Sequence, residues 1–169
     1  MRTIVKWIDG LNKAVSVVLA VMLAVMAILI IVQIFCRFVI NYPLHWTEEL
    51  ARFLMIYVVF LGSAIALRHS RLIAIEALAE AVKPRVRKWL KIFVMLVSMV
   101  FFVILLNQGL EIQNVVGRQT SAGLGIPMSL PYAAIPIGAL LLFVNAVAVI
   151  IETLTKPATE ENTQLEERI

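Results

Sequence analysis

The first long uncharged stretch of the chain runs from Ala14 to Cys36, 23 residues that lie between Lys13 and Arg37. A bilayer has a hydrocarbon core about 30 Å thick, which about 20 helical residues cross at about 1.5 Å each. The stretch therefore predicts a membrane-spanning helix. It is too long for the apolar core of a signal peptide, and no small-residue cleavage site ends it, so we expect it to be retained.

A second apolar stretch is shorter. Residues 53–67 carry no charge, but these 15 residues reach only about 22 Å as a helix. To cross the bilayer, the helix must also take in the turn that contains Glu48, Glu49 and Arg52. Thr47 is a natural N-cap for that turn, and the two acidic residues would then lie at the positive end of the helix dipole.

Two more spans follow in the second half of the chain. Residues 92–110 are uncharged, whereas the uncharged stretch 119–151 is too long for one helix and contains three prolines. We place the last helix after a Gly/Pro-rich loop, with Pro136 in its first turns, where a missing N–H costs least. The predicted spans are residues 14–36, 48–68, 89–110 and 132–151.

Composition supports a membrane protein. Of the 169 residues, 62% are hydrophobic and only 15% are charged, which leaves too little polar surface for a soluble domain of this length. We predict an all-α integral membrane protein with four transmembrane helices, a single membrane domain over residues 1–155, and a flexible acidic tail over residues 156–169.

The positive charges predict the orientation. With four spans, twelve of the 15 Lys and Arg residues fall on the side that holds both termini, and three fall on the other side. Positive residues concentrate on the cytoplasmic side, so both termini are expected in the cytoplasm. Because these residues cluster beside apolar stretches, they indicate membrane topology and not a nucleic-acid partner.

Two segments have the pattern of helices that lie on the membrane surface. Residues 2–13 predict a short interfacial helix that leads into the first span. Residues 71–83 repeat apolar side chains at helical spacing and predict an amphipathic interfacial helix between spans two and three; a plain linker is the alternative. Several cations in and after that segment are predicted to contact lipid headgroups: Arg71, Arg85, Arg87, Lys88 and Lys91.

The sequence offers no chemistry of its own. Cys36 is the single cysteine, and His45 and His69 lie 24 residues apart, about 36 Å along a helix, so they cannot share a haem or a metal. We predict no enzyme activity and no cofactor. The centres of the spans hold almost no polar residue, and every acidic residue lies at a span end or beyond, which argues against a transport path within this chain and against a small four-span exporter.

Polar residues gather at one membrane side. Arg37 ends the first span, and Glu48, Glu49 and Arg52 begin the second. Arg52 either pairs within its own helical turn, or the four residues form a network that reaches a partner subunit. On the same span, Gly62 and Ala66 form a small-xxx-small pair that permits close helix approach, which makes Gly62 a candidate interface residue.

Four stretches together resemble a known family, the small membrane subunit of TRAP transporters (DctQ-like). They are Trp46–Phe53, Val59–Gly62, Ala66–Arg68 and Leu124–Tyr132. The similarity covers residues 14–152 and extends to the order of four spans with a horizontal helix after the second.

The resemblance implies a location in the bacterial inner membrane and a role in a tripartite transporter. In such a system a periplasmic or lipoprotein substrate-binding protein (DctP-like) captures an organic acid, and a large membrane subunit (DctM-like) carries it across, usually with sodium. The small subunit packs against the large one. The residues themselves leave an alternative open, a membrane anchor or assembly subunit of another inner-membrane complex.

Overall fold

The computed structural model describes residues 2–42, 44–69 and 84–155. Four of its helices are long and apolar enough to cross a membrane, which confirms the predicted all-α, four-span fold. The helices are α1 (Arg2–Phe35), continued by a π-helical turn (Cys36–Ile40), α2 (His45–Arg68), α3 (Pro84–Val116), a short α4 (Ser129–Tyr132) and α5 (Ala134–Thr155). The interfacial helix predicted over 71–83 and the tail over 156–169 lie outside the described residues.

The last helix occupies the middle of the bundle. α5 packs against α2 on one side and α3 on the other, and α1 packs mainly on α2, so the helices lie side by side in the order α1, α2, α5, α3. The core lies where α2, α3 and α5 meet and contains the following buried side chains: Ala64, Leu67, Met95, Phe102, Leu142, Ala146 and Val149.

Two glycines allow α5 to approach its neighbours closely. A Cβ atom on Gly138 would lie 2.5 Å from the Cβ of Phe60 on α2. A Cβ atom on Gly109 of α3 would lie 2.9 Å from the Cγ2 of Ile135 and 3.0 Å from the Cδ of Pro136. Since real side chains do not tolerate such contacts, both helix pairs depend on the missing side chain, as is common where membrane helices pack.

The start of α2 differs from the prediction. The helix begins at His45, and the hydroxyl of Thr47 donates a hydrogen bond to the carbonyl of Leu44 at 2.7 Å, within the first turn. Thr47 is therefore not the N-cap; Leu44 is, without a side-chain cap bond. The earlier start gives α2 24 residues, about 36 Å, which is enough to cross the bilayer.

The predicted separate interfacial helix over residues 2–13 is also wrong. α1 is one continuous helix from Arg2 to Phe35. The physical reason is that this first part packs on the bundle: the side chains of Ile8 and Asn12 are buried, and Asn12 is hydrogen-bonded to another helix. The segment is thus part of the helix packing and not a separate surface helix.

The far end of α1 closes with a wider turn. The amide of Tyr42 donates to the carbonyl of Cys36 at 3.1 Å, and Asn41 adopts a left-handed conformation with φ of 56°. Asparagine tolerates this region better than most residues because its short polar side chain bonds locally. The turn ends the first span and redirects the chain toward α2.

Candidate functional site: polar clusters at the two ends of the bundle

Polar side chains collect at both ends of the bundle. We name the end where α2 and α5 finish the Arg68 end, and the end where α2 begins the Glu49 end. The polar residues singled out from the sequence lie at the Glu49 end. The Arg68 end holds a second cluster that the sequence did not suggest.

At the Glu49 end, Glu48 and Arg52 form an ion pair within one helical turn. The Nη2 of Arg52 lies 3.3 Å from the Oε1 of Glu48, and both side chains are exposed. The amide of Gln33 on α1 donates to the other oxygen of Glu48 at 3.4 Å. The pair therefore lies at the junction of α1 and α2, on the outside of the bundle.

Glu49 points the other way, toward the loop that precedes α4. Its Oε2 accepts hydrogen bonds from the backbone N–H groups of Gly123 at 2.8 Å and Leu124 at 2.9 Å. A Cβ atom on Gly123 would lie 2.5 Å from that oxygen, so a side chain there would displace the carboxylate from its present position. Charged acceptors make stronger hydrogen bonds than neutral ones, so Glu49 fixes this loop on the start of α2.

The loop itself is ordered by its own backbone. The amide of Ser121 donates to Ile126 at 2.8 Å, the amide of Met128 donates to Gln119 at 2.9 Å, and the amide of Gly125, a residue in the left-handed region, donates to Ser121 at 3.1 Å. These bonds form a small hairpin over residues 119–128. These backbone bonds and the contact with Glu49 hold the hairpin in one position at the Glu49 end.

The structure does not bring Arg37 or Gly62 into this cluster. The guanidinium carbon of Arg37 lies 5.9 Å from the centre of the Phe38 ring, and Arg37 is exposed at the end of α1. A Cβ atom on Gly62 would meet the methyl groups of Leu19 at 3.9 and 4.0 Å. Gly62 therefore lies on the contact between α1 and α2 of this chain.

At the Arg68 end, one arginine joins three helices. Its Nη1 and Nη2 donate to the two carboxylate oxygens of Glu152 on α5, at 2.9 and 2.6 Å. Its Nε donates to Asp9 on α1 at 2.8 Å. A two-pronged bond to a carboxylate is the strongest arrangement for an arginine, and the Arg68 side chain is only 11% exposed.

Further inside the bundle, two asparagines bind each other. The side-chain amides of Asn12 and Asn145 exchange hydrogen bonds of 2.7 and 2.9 Å, and both side chains are buried. Asn145 also donates to the carbonyl of Ala64 at 2.8 Å. The amide pair thus connects α1, α5 and α2, the same three helices that Arg68 joins.

Sequence reasoning missed this second cluster. Asn145 is the single polar residue between Tyr132 and Glu152, which is a signal that could have been used. Asp9 and Asn12 lie within residues 2–13, whose amphipathic pattern predicts an interfacial helix. The sequence does not show which helices are adjacent, and these contacts join residues 59 to 133 positions apart.

The cations predicted to contact headgroups are mostly outside the described part of the chain. Arg71 lies in an undescribed range, and so do the side chains of Arg85, Arg87 and Lys88. Lys91 is partly buried on α3. Their contact with lipid stays a prediction.

The described residues hold no candidate metal or haem site. His45 and His69 stand at opposite ends of α2, and no three His, Cys, Asp or Glu side chains among the described residues gather closely enough to bind a metal ion. In that same part of the chain, every buried polar side-chain atom has a hydrogen-bond partner. The polar groups inside the bundle are therefore occupied by contacts between helices and by turns.

Comparison with known proteins decides the family. The family model described as "Tripartite ATP-independent periplasmic transporters, DctQ component" matches residues 26–156, well over half of the chain. The chain belongs to the DctQ family. This confirms the resemblance found in the sequence.

Two relatives from Haemophilus influenzae are similar in different ways. A "Putative TRAP transporter small permease protein" of strain ATCC 51907 / DSM 11121 / KW20 / Rd is 28% identical over 155 residues, which cover 91% of this chain and 94% of the relative. The "Sialic acid TRAP transporter permease protein SiaT" of strain 86-028NP is 32% identical over 114 residues, 68% of this chain. That match spans only 18% of the relative's length.

The family match and these relatives establish the general role of the chain. The chain is a small permease subunit of a TRAP transporter, and it is a multi-pass membrane protein. As a DctQ component it is part of a transporter and not an enzyme.

Proposed function

We propose that this DctQ-family chain supports a large, DctM-like permease subunit during ion-coupled uptake of an organic acid, with sodium as the coupling ion. A periplasmic or lipoprotein DctP-like protein would deliver the substrate. The observation that carries the proposal is the occupation of the buried polar groups: Asn12, Asn145 and Thr47 are all engaged in bonds within the chain. Among the described residues, no buried polar side-chain atom is left without a partner and able to guide a hydrated solute through the bundle.

The longer relative supports a larger partner. The segment similar to this chain makes up 18% of the sialic acid permease protein, so in that relative it shares a polypeptide with a much larger remainder. In our proposal, the DctM-like subunit supplies the part that corresponds to this remainder. Sialic acid is an organic acid, and this supports the proposed substrate class.

The orientation in the membrane belongs to the same proposal. We place the chain in the bacterial inner membrane with the Arg68 end toward the cytoplasm and the Glu49 end toward the periplasm. The support is the count of positive residues, twelve against three. The cationic run that includes Arg71, Arg85, Arg87, Lys88 and Lys91 would then lie at the anionic cytoplasmic headgroups, each contributing about 1 kcal/mol.

Reconstitution tests the role directly. Uptake of a labelled organic acid is measured in proteoliposomes with an inward sodium gradient, with the large subunit and binding protein present and this chain present or omitted. We expect uptake only when all three are present. Uptake by this chain alone would contradict the supporting role.

The coupling ion and the substrate class have separate tests. Replacing the sodium gradient by a potassium gradient of the same size is expected to abolish uptake. Unlabelled organic acids are expected to compete with the labelled one, whereas neutral sugars are not. Uptake that persists with the potassium gradient would show that sodium is not the coupling ion, and it would not affect the proposed role of the subunit.

A further inference from the structure

One face of α2 is left uncovered by the other residues that the structure describes. Five residues at spacings of three or four positions are all exposed, and we name them the Arg52 stripe: Glu48, Arg52, Met55, Val59 and Ser63. This spacing places them along one side of a helix. The other sides of α2 pack against α1, through Gly62, and against α5, through Phe60.

The charged end of the stripe lies about one to two turns inside the start of α2. Arg52 and Arg68 are 16 residues apart on α2, about 24 Å, which is less than the hydrocarbon core of about 30 Å. When α2 crosses the bilayer, at least one of the two arginines therefore lies within the hydrocarbon core. Arg68 is shielded by protein, with 11% of its side chain exposed, whereas the side chain of Arg52 is 66% exposed.

Arg52 also has unused hydrogen-bonding capacity. A guanidinium carries five N–H donors, and Arg52 makes one bond within the described chain, to Glu48 at 3.3 Å. Arg68 is the internal comparison: it binds a carboxylate from each of two other helices, Asp9 on α1 and Glu152 on α5. Arg52 holds one carboxylate and is open on the outer side of α2.

We infer that the Arg52 stripe is the face that packs against the large membrane subunit, and that Arg52 binds a carboxylate of that subunit. This inference rests on the proposed function and names the surface that would serve it. Glu48 already balances the charge of Arg52, so the stripe does not attract an anionic headgroup by net charge. A carboxylate on a helix packed against the stripe could accept hydrogen bonds from the open N–H donors of Arg52, as Asp9 and Glu152 do from Arg68.

Below the charged pair the stripe is fit for helix packing. Met55 and Val59 are 50% and 55% exposed. They follow Arg52 toward the middle of α2, and the hydroxyl of Ser63 donates to the carbonyl of Val59 at 2.7 Å, so it presents no open donor. A partner helix would therefore meet an apolar strip with one polar anchor at its end.

Site-directed photo-crosslinking tests the contact in the assembled complex. Cysteine is placed at Met55 or Val59 in a Cys36→Ser background, labelled with a benzophenone maleimide and irradiated together with the large subunit. Val97 on α3 is the matched control, since it is 55% exposed and lies on another helix. We expect adducts with the large subunit from positions 55 and 59 and lipid adducts from position 97. Lipid adducts from 55 and 59 would overturn the inference.

Co-purification tests the anchor. With an affinity tag on this chain, we expect Arg52→Ala to reduce the recovered large subunit at least about tenfold, since truncating one member of a desolvated charge pair is costly. Arg37→Ala is the matched control: the same residue type, exposed at the same end and outside the stripe. The elution volume of each variant alone in detergent verifies that it folds.

The outcomes separate the two proposals. If the wild-type chain retains the large subunit and supports uptake, but Arg52→Ala behaves like Arg37→Ala and positions 55 and 59 label lipid, only the docking face is wrong. If the wild-type chain neither retains the large subunit nor supports uptake, the proposed function fails first.

Discussion

Glu48 and Glu49 are adjacent and chemically identical, yet they bind different parts of the molecule. Successive residues on a helix point about 100° apart, so neighbours cannot share a face. Glu48 lies outside and pairs with Arg52, whereas Glu49 lies against the hairpin and accepts the amides of Gly123 and Leu124. The two adjacent acidic residues therefore have two separate structural roles, an ion pair with Arg52 and a contact with the hairpin.

The Glu49 contact predicts the behaviour of the hairpin. Glu49→Ala removes the acceptor for two backbone N–H groups, and we expect the loop over residues 119–128 to open and become a protease site. Limited proteolysis in detergent measures this, with cleavage mapped by mass spectrometry. Glu48→Ala is the matched control and is expected to leave the loop protected; equal cleavage of both variants would contradict the assigned role.

The Arg68 contact predicts a loss of stability. Arg68→Met leaves two carboxylates close together without their cation, and because both are partly exposed we expect a cost of about 2 kcal/mol, less than for a fully buried pair. For a protein of this size this lowers the melting temperature by about 4–8 °C, measured by intrinsic tryptophan fluorescence. Adding Glu152→Gln removes one of the two charges and is expected to restore part of the loss. No change in melting temperature would show that the cluster is not stabilising.

At the scale of elements, α1 and α5 share polar bonds at the Arg68 end but differ in their apolar packing. α5 is fixed by close apolar packing on both sides, through Gly138 against α2 and Gly109 against α3. Most of the apolar surface of α1 is exposed, and it is connected to the other helices by the amide pair and by Asp9. Lipid is as apolar as the helices, so polar bonds fix the position of α1 where apolar contact alone does not.

The helix contacts predict opposite outcomes for two glycine substitutions. Gly138→Ala places a methyl group 2.5 Å from Phe60, and we expect it to destabilise the bundle by about 1–3 kcal/mol. Gly62→Ala meets Leu19 at 3.9 Å, an ordinary contact, and replaces a poor helix former, so we expect no loss. Melting temperatures of the two variants in the same detergent test this; a stable Gly138→Ala protein would contradict the close packing of α2 and α5.

For the whole molecule, the last helix in the sequence is the centre of the structure. α3 packs on α5 and the short α4 and has no other helix neighbour within the described residues, and the core forms only where α2, α3 and α5 meet. Among the first three spans, α1 and α2 contact each other, whereas α3 contacts neither of them within the described residues and joins the bundle through α5.

This arrangement predicts the effect of truncation. A chain that stops after Met128 lacks α4 and α5, and we expect it to lose the large subunit and to be degraded in cells. A chain that stops after Thr155 keeps every described helix and is expected to behave as the full chain does. Steady-state level and co-purification measure both. Normal assembly by the shorter chain would show that α5 is not central.

The sequence by itself determined the fold class, the number of spans and the family. Uncharged stretches of spanning length must become helices in a bilayer, because every backbone polar group has to be bonded within its own segment. It also determined that Glu48 and Arg52 could meet, since they are one turn apart on the same helix.

Only the tertiary structure decided which distant residues meet. It paired Asn12 with Asn145, gave Arg68 its two carboxylates, turned Glu49 toward Gly123, and left Arg52 on an open face. The physical reason is that length and apolar character determine whether a segment forms a helix in lipid, and many sequences satisfy both conditions. The order and rotation of the helices depend instead on the fit of particular side chains across the contacts, and that fit exists only once the helices are side by side.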